Sequence, residues 1–144
     1  MQICVNNASE RPVYMKEDDL SKEYYDDARI ILESKIKENP EDERFHSSLG
    51  ITYAGLDRKE DAIQHGKLSV ELLPVSKDAM RGPFRIEVLA LIYVMVGEFD
   101  EAIDKLEYLL KIPGQLSIPL LKIDPAWKPL RNHPRFKKLI ESGK

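Results

Sequence analysis

The hydrophobic positions of the chain fall into runs with helical spacing, separated by prolines, glycines and short polar segments. From about residue 18 to Asn39, apolar residues recur three or four positions apart, and Pro40 ends the run. Four further runs predict helices over about 42–56, 58–73, 83–96 and 98–111. The stretch from Val88 to Val96 is apolar nearly all round, which predicts a helix that is covered on more than one side. The pattern therefore predicts an all-α protein.

Two segments repeat one order of large and small residues. In each, a leucine is followed by a small residue, then by a tyrosine and an alanine at fixed spacing: Leu49, Gly50, Tyr53 and Ala62, then Leu89, Ala90, Tyr93 and Ala102. Small residues let two antiparallel helices pack at about 8–10 Å, while the tyrosines fill the space between helix pairs. Gly97, and Asp57 at the matching place, are expected to end the first helix of each pair in the left-handed conformation.

This spacing resembles the tetratricopeptide repeat, a 34-residue unit of two helices. The resemblance implies a right-handed superhelix of antiparallel helix pairs, with a half repeat over 18–42 and full repeats over 43–76 and 83–116. Ala62 and Ala102 are 40 residues apart, six more than one repeat unit. The extra residues lie in the segment 75–82, where Ser76 is expected to cap an extra turn. Residues 1–17 are predicted to be a lead-in or linker.

The residues after Pro113 and Gly114 no longer follow the repeat. Short helical segments are predicted there, and they carry Trp127 and Phe136. A stack of repeats exposes the apolar face of its last helix unless another segment covers it. Residues 117–144 are therefore predicted to form a non-repeat helical cap.

Residues 44–50, 73–78 and 121–136 carry a narrower resemblance. They are similar to the C-terminal repeat region of bacterial multi-domain signalling proteins, where that region follows a serine/threonine kinase, a cyclase or a winged-helix regulator. The resemblance implies a regulatory or scaffolding role. None of the kinase, cyclase or winged-helix motifs is in this sequence, which is interpreted as a fragment of such a protein or a stand-alone relative.

Composition narrows the classes of partner. The chain is 42% hydrophobic and 33% charged, with a net charge of -3 spread over faces of mixed sign, so a nucleic-acid partner has no electrostatic support. No run approaches the roughly 18 apolar residues of a membrane span. The N-terminus lacks the basic start and apolar run of a secretion signal, so a cytoplasmic protein without a membrane partner is expected. The single cysteine, Cys4, permits no internal disulfide.

Residues that could carry chemistry are few. No histidine lies within four positions of another histidine or of Cys4, and no phosphate-binding loop or zinc motif is present. His46 stands where the repeat has a packing tryptophan and is expected to be structural. His65 is expected to be a solvated helix residue and His133 a helix cap. The sequence therefore predicts no enzyme, no metal site and no cofactor.

Protein binding is the function that the resemblance implies. In such arrays the first helices line a concave groove, and the residues at the groove positions here are Arg44, Ser47, Ile51, Ala54, Phe84, Glu87, Leu91, Val94 and Met95. Ile51 and Leu91 replace the asparagine of the known two-carboxylate clamp, which disfavours an acidic C-terminal peptide of the heat-shock type. An amphipathic helix or extended peptide of a partner fits better.

Two alternatives stay open at this level. The groove could be covered by the chain itself or by a second copy, which would make the protein a homo-oligomer. The protein could instead be a small-ligand sensor, with a pocket between the repeats and the cap near Tyr93, Trp127 and Phe136.

Overall fold

The computed structural model describes the backbone of residues 14–112 and 116–142 and the side chains of residues 22–112 and 116–141. Residues 1–13 of the predicted lead-in and residues 113–115 at the end of the last predicted repeat lie outside the described residues. Within those limits the elements are helices, with no strand: α1 Tyr14–Glu38, α2 Glu43–Gly55, α3 Lys59–Leu72, α4 Gly82–Met95, α5 Phe99–Lys111, α6 Ile118–Ile123, the 3-10 helix η1 Pro125–Leu130, and α7 Pro134–Ser142. The predicted all-α class is confirmed.

Helix α1 begins at Tyr14, earlier than predicted, so residues 14–17 are helical rather than part of a lead-in. No proline or glycine lies between Pro12 and Asn39, and polar residues such as lysine and glutamate are good helix formers on an exposed helix. The spacing of apolar residues indicates which side of a helix is buried, not where the helix begins, and it starts only at Leu20. It therefore placed the start of the helix too late.

The pairs α2–α3 and α4–α5 turn in the same way. Asp57 and Gly97 have φ angles of 64° and 86°, the left-handed conformation predicted for both. The next N–H in each turn donates to a tyrosine carbonyl, from Arg58 to Tyr53 at 2.9 Å and from Glu98 to Tyr93 at 2.8 Å. The two turns therefore share this hydrogen bond, as the repeated sequence pattern predicts.

Small residues lie where the helices approach most closely. Ala62, Ala90 and Ala102 are completely buried. A Cβ atom on Gly50 would lie 2.7 Å from Ile92 Cδ1 and 3.1 Å from the Ala62 carbonyl oxygen, so a larger side chain has no room. The predicted helix–helix approach at this position is confirmed.

Helix α4 holds two hydrophobic clusters together. Val88 and Ile92 pack with Leu49 and Tyr53 of α2, whereas Leu89 and Tyr93 belong to a second cluster with residues of α5 and of the C-terminal segments. In that second cluster, residues 117–141 contribute the side chains Leu121, Trp127, Leu130 and Phe136. This double packing explains why α4 is apolar nearly all round.

The six surplus residues between the helix pairs form turns that end at a glycine. Asp78, rather than Ser76, caps this segment, because its carboxylate accepts the N–H groups of Met80 and Arg81 at 2.9 and 2.8 Å. The Arg81 guanidinium, followed by these two backbone N–H groups, lowers the pKa of Asp78 to about 2. A Cβ atom on Gly82 would lie 2.8 Å from the Val75 backbone, so the chain can approach itself this closely only at glycine.

Candidate partner-binding surface

The nine predicted groove residues lie on two neighbouring helices, α2 and α4, but three of them are buried. Ser47 is 2% exposed, and Ala54 and Val94 are each 5% exposed. Ala54 packs in the cluster between α2 and α4, and Val94 packs in the cluster that includes α5 and the C-terminal segments. A partner cannot reach these three side chains without separating the helices, so they are not part of an accessible surface.

The accessible apolar residues lie along one side of α4. Phe84 is 50% exposed and Met95 is 37% exposed, with the half-buried Leu91 between them. Spacings of seven and four residues place the three side chains on the same side of the helix. Phe84, Leu91 and Met95 are called the α4 strip below. The half-buried Ile51 lies on the adjacent helix α2.

Three arginines lie near the start of α4, and one of them is left without an ion pair in the part of the chain that the structure describes. Arg44 bonds Asp42 at 2.7 Å, and Arg81 bonds Asp78 at 2.8 Å. Arg85 instead lies over the Phe84 ring, 5.0 Å from its centroid, and its buried Nε has no hydrogen-bond partner among the described side chains. Burial lowers the pKa of Arg85, although the group stays charged at neutral pH.

The C-terminal segments lie close to the α4 strip. Helix η1 packs on α4, and the carboxylate of Asp124 precedes η1. Burial, followed by the charge of Asp124, raises the pKa of the half-buried Glu87. Arg44, the last of the predicted groove residues, is exposed at the start of α2. The surface therefore combines apolar side chains with Arg85, which has no ion pair among the described residues, and with Glu87, whose pKa is raised.

A second polar cluster, at the junction of α1, α2 and α3, was missed by the sequence analysis. His46 Nδ1 lies 3.0 Å from His65 Nδ1, and His46 Nε2 lies 2.8 Å from the Pro40 carbonyl oxygen. The Tyr53 hydroxyl donates to Glu33 at 2.6 Å. Burial and the Glu33 carboxylate raise the pKa of Tyr53 to about 12.

The structure agrees with the predicted roles of two histidines and contradicts that of the third. His46 is 3% exposed and structural, as expected. His133 caps α7 through Nδ1, which accepts the N–H of Arg135 at 3.2 Å, as expected. The prediction of a solvated His65 is wrong, because this ring is half-buried against His46 and Tyr53. The spacing of 19 residues between His46 and His65 could have indicated the contact, since it joins facing sides of a predicted helix pair.

Burial of His65 makes stability depend on pH. Its pKa is lowered from 6.5, chiefly by burial and then by His46, so the unfolded chain binds a proton more readily than the folded chain. The free energy of unfolding should therefore be highest above the unfolded-state pKa and should fall as the pH drops below about 6.5. Urea denaturation at several pH values should show that the free energy of unfolding falls less steeply with decreasing pH in His65→Gln than in the parent. Equal declines would contradict this assignment.

The proposed ligand pocket near the cap is filled by side chains. Tyr93, Trp127 and Phe136 are only 2–3% exposed and belong to one packed cluster, so a ligand there would have to displace them. An open groove of about 770 Å³ lies instead beside α5 and α7, where its apolar lining includes Leu110 and Ile118.

Tests for other kinds of site are negative within the described residues. No helix over 14–112 or 116–142 is long and apolar enough to cross a membrane. Among the described side chains, no three histidine, cysteine, aspartate or glutamate residues gather as a metal site would require. A scan against models of protein families and searches of curated proteins and of solved structures found no match to the chain.

Proposed function

We propose that this protein is a non-catalytic interaction module of the tetratricopeptide type. The two equivalent turns, the small residues at the helix crossings and the packing of α4 on both α2 and α3 support a stack of helix pairs. In the proposed arrangement the pairs form a right-handed superhelix that residues 117–144 cap. The resemblance to signalling proteins favours a regulatory or scaffolding role in the bacterial cytoplasm.

The observation that carries this proposal is the exposed α4 strip with Arg85 at one end. A contiguous row of large apolar side chains on one side of a helix is typical of sites where another protein binds. Arg85 lies over Phe84 and has no ion pair among the described residues. The proposed partner is therefore an amphipathic helix or extended peptide whose apolar side chains cover the strip and whose carboxylate pairs with Arg85.

Substitutions in the α4 strip should weaken partner binding. Phe84→Glu and Met95→Glu each place a carboxylate in the apolar contact, so capture of a protein partner from the native host should fall about tenfold or more. Circular dichroism should show unchanged helicity, since both side chains are exposed in the free protein. Val94→Asp is unsuitable for this test, because it would bury a charge.

Tyr108→Glu is the matched control for these variants. Tyr108 lies on α5, outside the strip, and is 45% exposed, so it is similar to Phe84 in size and exposure. Binding equal to that of the parent in all three variants would reject the strip as the binding surface. Sedimentation of the parent and of Phe84→Glu distinguishes the occupants, since a dimer that the substitution dissociates would identify a second copy of the chain.

A further inference from the structure

Helix α1 has an apolar surface that the described part of the chain leaves uncovered. On the side that packs on α2, Tyr25 and Leu32 lie against that helix. Tyr24 and Ile31 each come one position earlier, which turns them about 100° around the helix and away from α2. Tyr24, Ile30 and Ile31 are 66%, 55% and 58% exposed. Three large apolar side chains within two turns of one helix indicate a surface that another molecule covers.

Two charged side chains lie beside Ile31 on this surface. Asp27 and Lys35 are four positions before and four positions after it, so the three residues share one side of α1. Both charged groups are exposed, and neither has an ion pair among the described residues. They lie about 12 Å apart along the helix, too far to pair with each other. By contrast, Arg29 of the same helix is paired with two carboxylates, at 2.9 and 3.1 Å.

The order acid, isoleucine, base is complementary to itself under a two-fold rotation. In two antiparallel helices with Ile31 of each on the rotation axis, a residue before Ile31 in one helix faces the residue equally far after it in the other. Asp27 of each helix then faces Lys35 of the other, so one ion pair lies on either side of two packed isoleucines. A parallel pair in the same register would place Asp27 against Asp27 and Lys35 against Lys35, which is unfavourable.

The same register gives Tyr24 a polar partner. Tyr24 is seven positions before Ile31, and Glu38, the last residue of α1, is seven positions after it. The Glu38 side chain is exposed, and a carboxylate accepts the hydrogen bond that a tyrosine hydroxyl donates. The apolar ring would therefore be covered while its hydroxyl group keeps a partner.

We propose that this protein forms a two-fold dimer through α1, with the two α1 helices packed antiparallel about Ile31. The proposed partner is a second copy of the chain, because the charges on this surface match those of the same surface turned by half a revolution. This inference does not rest on the proposed function, since the α4 strip lies on another helix and uses other residues.

The contact is short, and apolar burial supplies most of its affinity. The two helices overlap from Tyr24 to Glu38, a length of about 21 Å. Exposed ion pairs contribute little free energy, but they select the antiparallel orientation. An interface of this length lies at the small end of specific protein contacts, so we expect a weak dimer with a dissociation constant of about 10–100 µM.

Sedimentation equilibrium of the full chain tests the dimer. The parent should be dimeric at about 500 µM and dissociate on dilution to about 5 µM. Ile31→Glu places two carboxylates against each other on the axis, so the dissociation constant should rise about tenfold or more. Ile123→Glu is the matched control, because Ile123 is 72% exposed on α6, and it should dimerise as the parent does. Circular dichroism should show unchanged helicity in both variants, since both side chains are exposed.

Exchange of the two charges tests the orientation. Asp27→Lys and Lys35→Asp each turn both ion pairs into repulsive contacts, so each alone should raise the dissociation constant about tenfold. The double variant Asp27→Lys/Lys35→Asp restores two opposite-charge contacts and should dimerise as the parent does. In a parallel pair every one of these proteins has like charges opposed, so the single and double variants would not differ.

Four results would overturn the proposal. They are a parent that stays monomeric over the whole concentration range, an Ile31→Glu variant that dimerises as the parent does, and a double charge variant that is as weak as the single ones. The fourth is a dimer that Phe84→Glu dissociates and Ile31→Glu does not, because it would place the second copy on the α4 strip.

Discussion

Trp127→Ala is expected to lower the free energy of unfolding by about 3–5 kcal/mol. Trp127 is 2% exposed and packs among Leu121, Leu130 and Phe136 in the cluster that joins residues 117–141 to α4 and α5. Prolines at both ends of η1 restrict its backbone, so the segment cannot easily collapse into the space that the indole leaves. Urea denaturation followed by circular dichroism measures the change.

Ile123→Ala is the control for this result. Ile123 lies in the same C-terminal region but is 72% exposed, so its truncation should change the free energy of unfolding by less than about 0.5 kcal/mol. If Trp127→Ala were as mild as this control, residues 117–141 would not be packed on the helix pairs.

Gly50→Leu should cost about 3 kcal/mol, the upper part of the range for overpacked cores. A Cβ atom at this position would already lie 2.7 Å from the tip of Ile92. That tip can move, but the Ala62 carbonyl oxygen at 3.1 Å and the Gly66 nitrogen at 3.2 Å are backbone atoms. The helices would therefore have to separate to make room for the leucine. Thermal and urea denaturation should both show the loss.

Ser48→Leu supplies the matched comparison, because it places the same side chain on the exposed side of α2, two residues away. Its expected effect is within about 0.5 kcal/mol. Equal stability of Gly50→Leu and Ser48→Leu would mean that α2 does not approach α3 and α4 as described.

The repeated turns and helix crossings could be predicted because they depend on local residue types. Gly97 and Asp57 are among the residues that most readily adopt a positive φ, and both do so. Gly50 and Ala62 mark the close approach of α2 and α3 by their size alone, and both are buried. Each feature depends on residues within one helix pair, where a spacing pattern can detect it.

The burial of individual side chains could not be predicted in the same way. Val94 was predicted to face the groove from the resemblance alone, but it packs in the cluster that the C-terminal segments complete. Residues outside the repeat thus decide whether it is accessible. The burial of His65 likewise depends on its contact with His46 on the facing helix, which the repeat pattern itself does not contain. That Arg85 has no ion pair among the described residues depends on which arginines Asp42 and Asp78 bind.

The central claim is that two equivalent helix pairs stack side by side, with α4 packed against the pair formed by α2 and α3. A methyl-resolved NMR experiment tests this most directly, through the nuclear Overhauser effects of the Ile92 δ1 methyl group. The structure predicts strong effects to the Gly50 and Gly66 α protons, since Ile92 Cδ1 would lie 2.7 and 2.9 Å from Cβ atoms at those positions. An Ile92 methyl group with contacts to α5 alone, and none to α2 or α3, would contradict the account.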